Sequence, residues 1–274
     1  MTGPAPIEPA AAVAPDAAAD LPAASAHPAA GHPDAGHPAA AARPWTLPHL
    51  RHWLLVGILL SAAVLALGLA AKFTPGFSAA ELGVDQGLSR HHVAALTAVA
   101  MAFNVVFGPV AGLALIGAGA LGIWLFRGGL VKAAGFGLVA LSGWVACELF
   151  KIVVARQRPN PALLLDPLAP ETGSNSFPSG HVCFAVALGF AVYFLARGTR
   201  WGTVTAVAAP VVALIVAWSR LYIGVHYPTD VAASFLSAAA AVVVVTGLWN
   251  AAAPRLARRF GAFSGARPPL FERK

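Results

Sequence analysis

Eight residues of this 274-residue chain have types and spacing suited to chemistry: Lys151, Arg158, Ser179, Gly180, His181, Arg220, His226 and Asp230. They fall in three polar islands, each at the end of a long apolar run. The islands are Lys151 with Arg158-Pro159, then Pro178-Ser179-Gly180-His181, then Ser219-Arg220 followed by His226 and Asp230. Three cations with too few acids to neutralise them suit a phosphate dianion. Arg presents a planar bidentate fork to phosphate oxygens and Lys a compact point charge. Pro178 to His181 reads as a helix start, with Ser179 as a good N-cap and Gly180 allowing close backbone approach to an oxyanion. Free N–H groups and the positive end of the helix add a ready anion site.

His226 precedes Asp230 by four residues, and Pro228 fits the first position of a helix. That spacing lets the carboxylate accept a hydrogen bond from the imidazole. One ring nitrogen is then oriented and the other is free as a nucleophile. Beyond residue 92 the chain has only two histidines, His181 and His226, so both lie in the islands. Any one of the cations alone reads as an interfacial anchor whose charge snorkels to the membrane surface. That reading does not explain three of them arriving together with both histidines. Glu148, one turn before Lys151, is placed to support it by pairing. Cys147 and Cys183 fall inside apolar runs and read as small buried hydrophobes, with no ligand spacing for a metal and no disulfide framework.

The elements that must position these residues follow from composition. The chain is 58% hydrophobic and only 11% charged, with mean hydropathy +0.72, whereas a soluble domain carries about 25% charged residues. The class is therefore an all-α polytopic membrane protein. The formal charge of +7 is scattered over helix ends with few aromatics between, which excludes a nucleic-acid partner. Six spans are expected, at 53–71, 107–126, 130–153, 180–196, 201–222 and 228–249. Residues 93–126 carry no charge, and as one helix they would run about 51 Å, too long for a ~30 Å hydrocarbon core. Gly108-Pro109 is the natural break, leaving 90–105 as an interfacial or re-entrant helix and 73–92 as a loop or surface-lying helix. Pro210 is expected to kink the fifth span, and the loop 160–177 is long enough to form a lipid-facing lid. Residues 1–50 are an Ala/Pro/His-rich tail without apolar periodicity, expected to be disordered, 51–254 form the membrane domain, and 255–274 are a basic tail. With the N-terminus inside, twelve of the eighteen Lys and Arg fall on cytoplasmic segments. This puts both termini in the cytoplasm and all three islands on the outer face of the inner membrane.

The pattern Lys151-x6-Arg158-Pro159, Pro178-Ser179-Gly180-His181, Ser219-Arg220-x5-His226-x3-Asp230 resembles the complete three-part signature of the type 2 phosphatidic acid phosphatase (PAP2) superfamily. The motifs span 151–230, and the six-span layout extends the resemblance to about 53–250. It implies a membrane lipid phosphatase in which His226 attacks phosphorus and forms a phosphohistidine, with Asp230 orienting it. His181 would protonate the leaving oxygen and then activate water. Lys151, Arg158, Ser179, Gly180 and Arg220 would hold the phosphoryl oxygens, and Pro178 would support the second motif. The resemblance implies no metal ion or other cofactor, in keeping with the absence of a carboxylate cluster. The substrates it implies are lipid phosphates or diphosphates such as polyprenyl diphosphate, phosphatidate or phosphatidylglycerophosphate.

Transfer of the phosphoryl group to a second lipid would use the same phosphohistidine and stays open at the level of sequence. A non-catalytic anion or lipid carrier would call for paired discontinuous helices in two related halves, and no such repeat is present. Ser179 lacks a GxSxG setting, which sets aside a serine protease.

Overall fold

Uninterrupted apolar runs become helices, and the polar or proline breaks between them become their ends. The computed structural model describes residues 46–126 and 129–259, with no β-strand among them. The helices are α1 (Trp53–Phe73), α2 (Phe77–Ser89), α3 (Ala94–Val106), α4 (Pro109–Phe126), α5 (Leu130–Val154), α6 (Gly180–Ala196), α7 (Gly202–Tyr222) and α8 (Pro228–Arg259). Residues 1–45 of the expected tail and 260–274 of the basic C-terminal segment lie outside the described residues.

Among the described residues, five helices are long and apolar enough to cross a membrane: α1, α4, α5, α7 and the Pro228–Ala252 part of α8. The expected fourth span, α6, is apolar but has 17 residues. The expected six spans therefore correspond to five full-length helices and one short one. Their outer faces carry bare Leu, Val and Phe, with Val110 and Phe126 exposed by 86% and 85%. Apolar exposure on this scale belongs against lipid.

The chain leaves α3 at Phe107 and enters α4 at Pro109, so the break falls at Gly108-Pro109. Helix α7 continues through Pro210. Helix α8 runs to Arg259, past both the expected end of the span at 249 and the start of the basic tail at 255. Near its end, Asn250 accepts from the Leu47 N–H at 2.9 Å and donates to the Leu47 carbonyl at 2.7 Å. Leu47 is buried, although it lies on the tail side of the expected boundary at 50.

Residues 77–89, expected in a loop or on a surface-lying helix, form α2 with its polar stripe turned inward. Glu81, Asp85 and Ser89 recur every four residues and so share one face; Asp85 and Ser89 are buried, and Glu81 is bound into the interior described below.

Helix α5 lies against α4, α6 and α8. Packing in lipid depends on close van der Waals fit rather than on a hydrophobic drive. Gly143 supplies it where α5 meets α6, because a Cβ there would overlap the Cys183 carbonyl. One residue along, Trp144 stacks on Phe184 with ring centroids 4.2 Å apart. This contact holds the C-terminal end of α5 beside the N-terminal end of α6.

Candidate active site

The three islands meet where α5 ends, α6 begins, α7 ends and α8 begins. Lys72 donates to the Val154 carbonyl at 2.8 Å and so serves the open C-terminus of α5. Ala155 then turns the chain through a left-handed conformation, φ 46°. The following loop is pinned at several points. Arg158 N–H donates to the Gly173 carbonyl at 3.0 Å, and Ser176 N–H to the Arg156 carbonyl at 3.1 Å. From α2, Gln86 donates to the Leu163 carbonyl at 3.1 Å, and the Ser89 hydroxyl accepts from the Asp166 N–H at 2.8 Å. His92 reaches Asp166 at 2.9 Å and the Tyr222 carbonyl at 2.8 Å, tying the loop to the end of α7.

His226 sits between α7 and α8 and is almost fully buried. Arg158 Nη1 donates toward its Nε2 at 3.3 Å. An arginine can only donate, so the proton of the neutral ring belongs on Nδ1, on the side of Asp230. The expected direct hydrogen bond from that nitrogen to Asp230 is not formed. Nδ1 lies 3.7 Å from Oδ2 and has no hydrogen-bond partner, a gap beyond hydrogen-bond range. The reason is that Asp230 is already held elsewhere. Its Oδ1 accepts from Arg156 Nη1 at 2.6 Å, and its Oδ2 from the Ser176 hydroxyl and from the Tyr227 N–H, the latter at 3.0 Å. Burial pushes the His226 ring down to about 4, helped by the positive charges of Arg158 and Arg220 and opposed by Asp230.

The three cations of the islands have different partners. Arg158 also donates from Nε to Asn175 at 2.8 Å and from Nη1 to the Val225 carbonyl at 2.9 Å, and it pairs with Glu171 at 2.9 Å. Its pKa is lowered by burial, against the pull of Glu171. Arg220 is fully buried; it donates to Asn104 Oδ1 at 2.7 Å and to the Ser219 hydroxyl at 3.2 and 3.3 Å. Lys151 pairs with Glu148 at 2.8 Å, as the i,i+3 spacing predicts. Its ammonium lies 3.6 Å from where a Cβ on Gly180 would stand, so the glycine leaves the space beside this charge open.

The second island opens α6. Ser179 occupies the N-cap position, but its hydroxyl does not cap the helix; it is buried without a hydrogen-bond partner. The Ser179 N–H instead donates to Ser234 Oγ at 2.9 Å, and Ser234 donates to the Asp230 carbonyl at 2.7 Å. Pro178 accepts from the Cys147 thiol through its carbonyl at 3.4 Å. His181 donates from Nε2 to the Asn104 carbonyl at 3.0 Å. The structure therefore brings Lys151, Arg158, Ser179, Gly180, His181, Arg220, His226 and Asp230 to one end of the helices, with Glu148 and Pro178 at the edge. Among the described residues, no group of three or more His, Cys, Asp or Glu stands close enough to hold a metal ion.

Sequence reasoning missed four residues. Asn104 serves two site residues, Arg220 through its side chain and His181 through its carbonyl. Arg156 is buried, and Glu81 and Asp85 come from α2. Asp85 has neither carboxylate oxygen hydrogen-bonded, and burial, with Asp230 and Glu81 adding to it, pushes its pKa up to about 8. The available signal was a stripe of acids at i and i+4 inside an otherwise apolar domain.

Apolar helices and a buried, cation-ringed histidine define a membrane protein built to handle an anion. The PAP2 superfamily model matches residues 132–253, which contain every motif position. The undecaprenyl-diphosphatase BcrC of Bacillus subtilis (strain 168) is 32% identical over 157 residues, 56% of this chain and 74% of that protein. An undecaprenyl-diphosphatase of Sulfolobus acidocaldarius is 38% identical over 93 residues, 32% of this chain and 41% of that one. A transmembrane PAP2 type phosphatidylglycerolphosphate phosphatase from Bacillus subtilis has a similar fold. Its crystal structure superposes with a TM-score of 0.58 at 24% identity, covering 73% of this chain and 94% of that one. The chain belongs to the PAP2 superfamily, and it is a multi-pass membrane phosphatase.

Proposed function

We propose that this phosphatase removes phosphate from a lipid diphosphate through a phosphohistidine at His226, on the extracytoplasmic face of the membrane. The observation that carries the reading is the setting of the His226 ring. Its Nε2 faces Arg158, its protonated Nδ1 faces Asp230, Arg220 adds positive charge to the ring, and Lys151 stands beside Gly180 at the start of α6. In the first step Nε2 attacks phosphorus, the bond from phosphorus to the leaving oxygen breaks, and His181 gives that oxygen a proton. The developing positive charge on the imidazole is met by Asp230. In the second step water attacks the phosphohistidine, His181 takes a proton from it, and the N–P bond breaks to release phosphate. Lys151, Arg158 and Arg220 stabilise the charge on the equatorial oxygens in both steps. The unpartnered hydroxyl of Ser179 and the space at Gly180 serve the same oxygens.

The relatives named as undecaprenyl-diphosphatases support a prenyl diphosphate as substrate. Phosphatidate and phosphatidylglycerophosphate present the same phosphoryl group and are the comparison substrates. With α1, α4, α5, α6, α7 and α8 taken as six crossings, both termini share one side, and the distribution of Lys and Arg supports the cytoplasm for that side and the outer face for the site. The test is phosphate release from undecaprenyl diphosphate and the two glycerolipids by purified protein with EDTA present. Undecaprenyl diphosphate is expected to be turned over fastest. Loss of activity on chelation, or full activity in His226→Ala, would overturn the mechanism.

A further inference from the structure

Behind His226 lies a second group of charges that the reaction as described does not use. Arg156 is 2% exposed and binds on both sides. Through Nη1 it donates to Asp230 Oδ1 at 2.6 Å and to Thr229 Oγ1 at 2.9 Å. Through Nη2 it donates to Glu81 Oε2 at 2.7 Å and to Ser78 Oγ at 2.9 Å. Its guanidinium carbon stands 4.2 Å from the centre of the Tyr227 ring, so the group is also fixed across its plane. Glu81 in turn accepts from the Thr229 N–H at 2.7 Å and from the Thr229 hydroxyl at 2.6 Å. It thereby puts a negative charge on the first turn of α8, where the helix dipole favours one. The result is a continuous line of charge-assisted hydrogen bonds from α2 to the carboxylate facing His226.

We infer that Arg156 and Glu81 are positioning residues for the phosphoryl-transfer step: they fix the Asp230 carboxylate 3.7 Å from His226 Nδ1, where it meets the charge that develops on the ring. The inference rests on the reading of His226 as the nucleophile. Asp230 accepts from Arg156, Ser176 and Tyr227, which leaves it one orientation toward Nδ1. A carboxylate fixed before substrate arrives meets the developing charge without reorganising, and a small misplacement costs rate rather than binding. The side-chain partners of Arg156 lie on α2 and the start of α8 and are not shared with Lys151, Arg158 or Arg220, so its loss is expected to leave ground-state binding of phosphate intact. The planar fork is required, because a lysine cannot serve both carboxylates with the same geometry. Asp85, one turn further along α2, is held protonated by burial, so the acids facing Arg156 as anions are Glu81 and Asp230.

The test measures kcat and KM of the full chain in detergent on farnesyl diphosphate and dioleoyl phosphatidate, with thermal midpoints taken in parallel. Arg156→Gln is expected to lower kcat about 10²-fold with KM changed less than about threefold. Arg156→Lys should recover about tenfold of that loss, and Glu81→Gln should lower kcat about tenfold. In an Asp230→Asn background, Arg156→Gln should add less than about twofold, since both changes break one chain. Independent, multiplying losses would overturn the inference, as would a loss confined to KM or one that only follows the folded fraction. If Arg156→Gln does not fold, Arg156→Lys and Glu81→Gln decide in the same way, and an unchanged kcat in both overturns it. His226→Ala separates the two levels. An active His226→Ala defeats the nucleophile reading itself, whereas an inactive one beside fully active Arg156 variants defeats only the positioning chain.

Discussion

Two sets of ion pairs hold the residues of the site, and they differ in what their acids face. On one side Arg156 is paired with Asp230 and Glu81, whose side chains are 0% and 11% exposed. On the other side Arg158 and Lys151 are paired with Glu171 and Glu148, which are 40% and 63% exposed. A buried pair is costly to break, because removing one partner strands a charge in a low-dielectric interior. An exposed pair exchanges readily with solvent or a competing anion. The first set therefore behaves as fixed framework and the second as a set of replaceable contacts. Under the proposed function, a substrate phosphate would compete with Glu171 and Glu148 for Arg158 and Lys151.

The largest effect that should follow is on the framework side. Asp230→Asn is expected to lower kcat about 10³- to 10⁴-fold, because a triad-like orienter that loses its charge costs that much. Single-turnover phosphate release checks this, and a loss below about tenfold would remove the distinction between the two sets. Next come the cations themselves. Arg158→Gln should cost about 10²- to 10³-fold in kcat/KM. It should also raise the acid limb of the pH profile, since Arg158 helps to hold the His226 ring down at about 4, where it is free to attack. A kcat/KM profile from pH 4 to 8 measures both.

Asp85 supplies a smaller effect on stability. Its pKa is about 8 in the folded chain against an ordinary 3.8, so between those values the folded state holds a proton that the unfolded state has lost. Stability should then fall as pH rises through that window. Asp85→Asn should flatten the fall and give a higher thermal midpoint than wild type at pH 8. The smallest effect belongs to the exposed acids. Glu171→Gln should lower KM about two- to fivefold with kcat unchanged, and Glu148→Gln should change KM by less than about twofold, in line with the modest strength of exposed pairs. A rise in KM in Glu171→Gln would make that carboxylate part of the binding site rather than a competitor for it.

The residues of the three islands were legible in the sequence because each island adjoins an apolar run and its members lie at a fixed spacing. Helix positions were equally legible: the break at Gly108-Pro109 follows from a proline inside a charge-free run too long for one span, and α1, α5, α6 and α7 end within two residues of the expected spans. The framework side was not. Arg156 lies two residues before Arg158 in the same basic cluster, and nothing in local spacing says that one faces the ring while the other turns toward α2. Glu81 and Asp230 are 149 positions apart in the sequence (230 minus 81), so their meeting is a property of the fold. Asn104 was hidden for a different reason. A single amide in an apolar helix carries no pattern, although its carbonyl and side chain serve His181 and Arg220. Even within a recognised motif, the His226–Asp230 spacing suggested a direct bond that Arg156, Ser176 and Tyr227 divert.

With α6 taken as one of the six crossings, its 17 residues predict that turnover depends on bilayer thickness. A helix of that length rises about 26 Å, short of a ~30 Å hydrocarbon layer. With its far end at one interface, the turn bearing Gly180 and His181 lies a few ångströms beneath the other, or the lipid thins to meet it. The headgroup must then sink toward the site, and a thinner membrane shortens that descent. In vesicles of graded acyl length, turnover should therefore change with hydrocarbon thickness even when surface charge and substrate fraction are held constant.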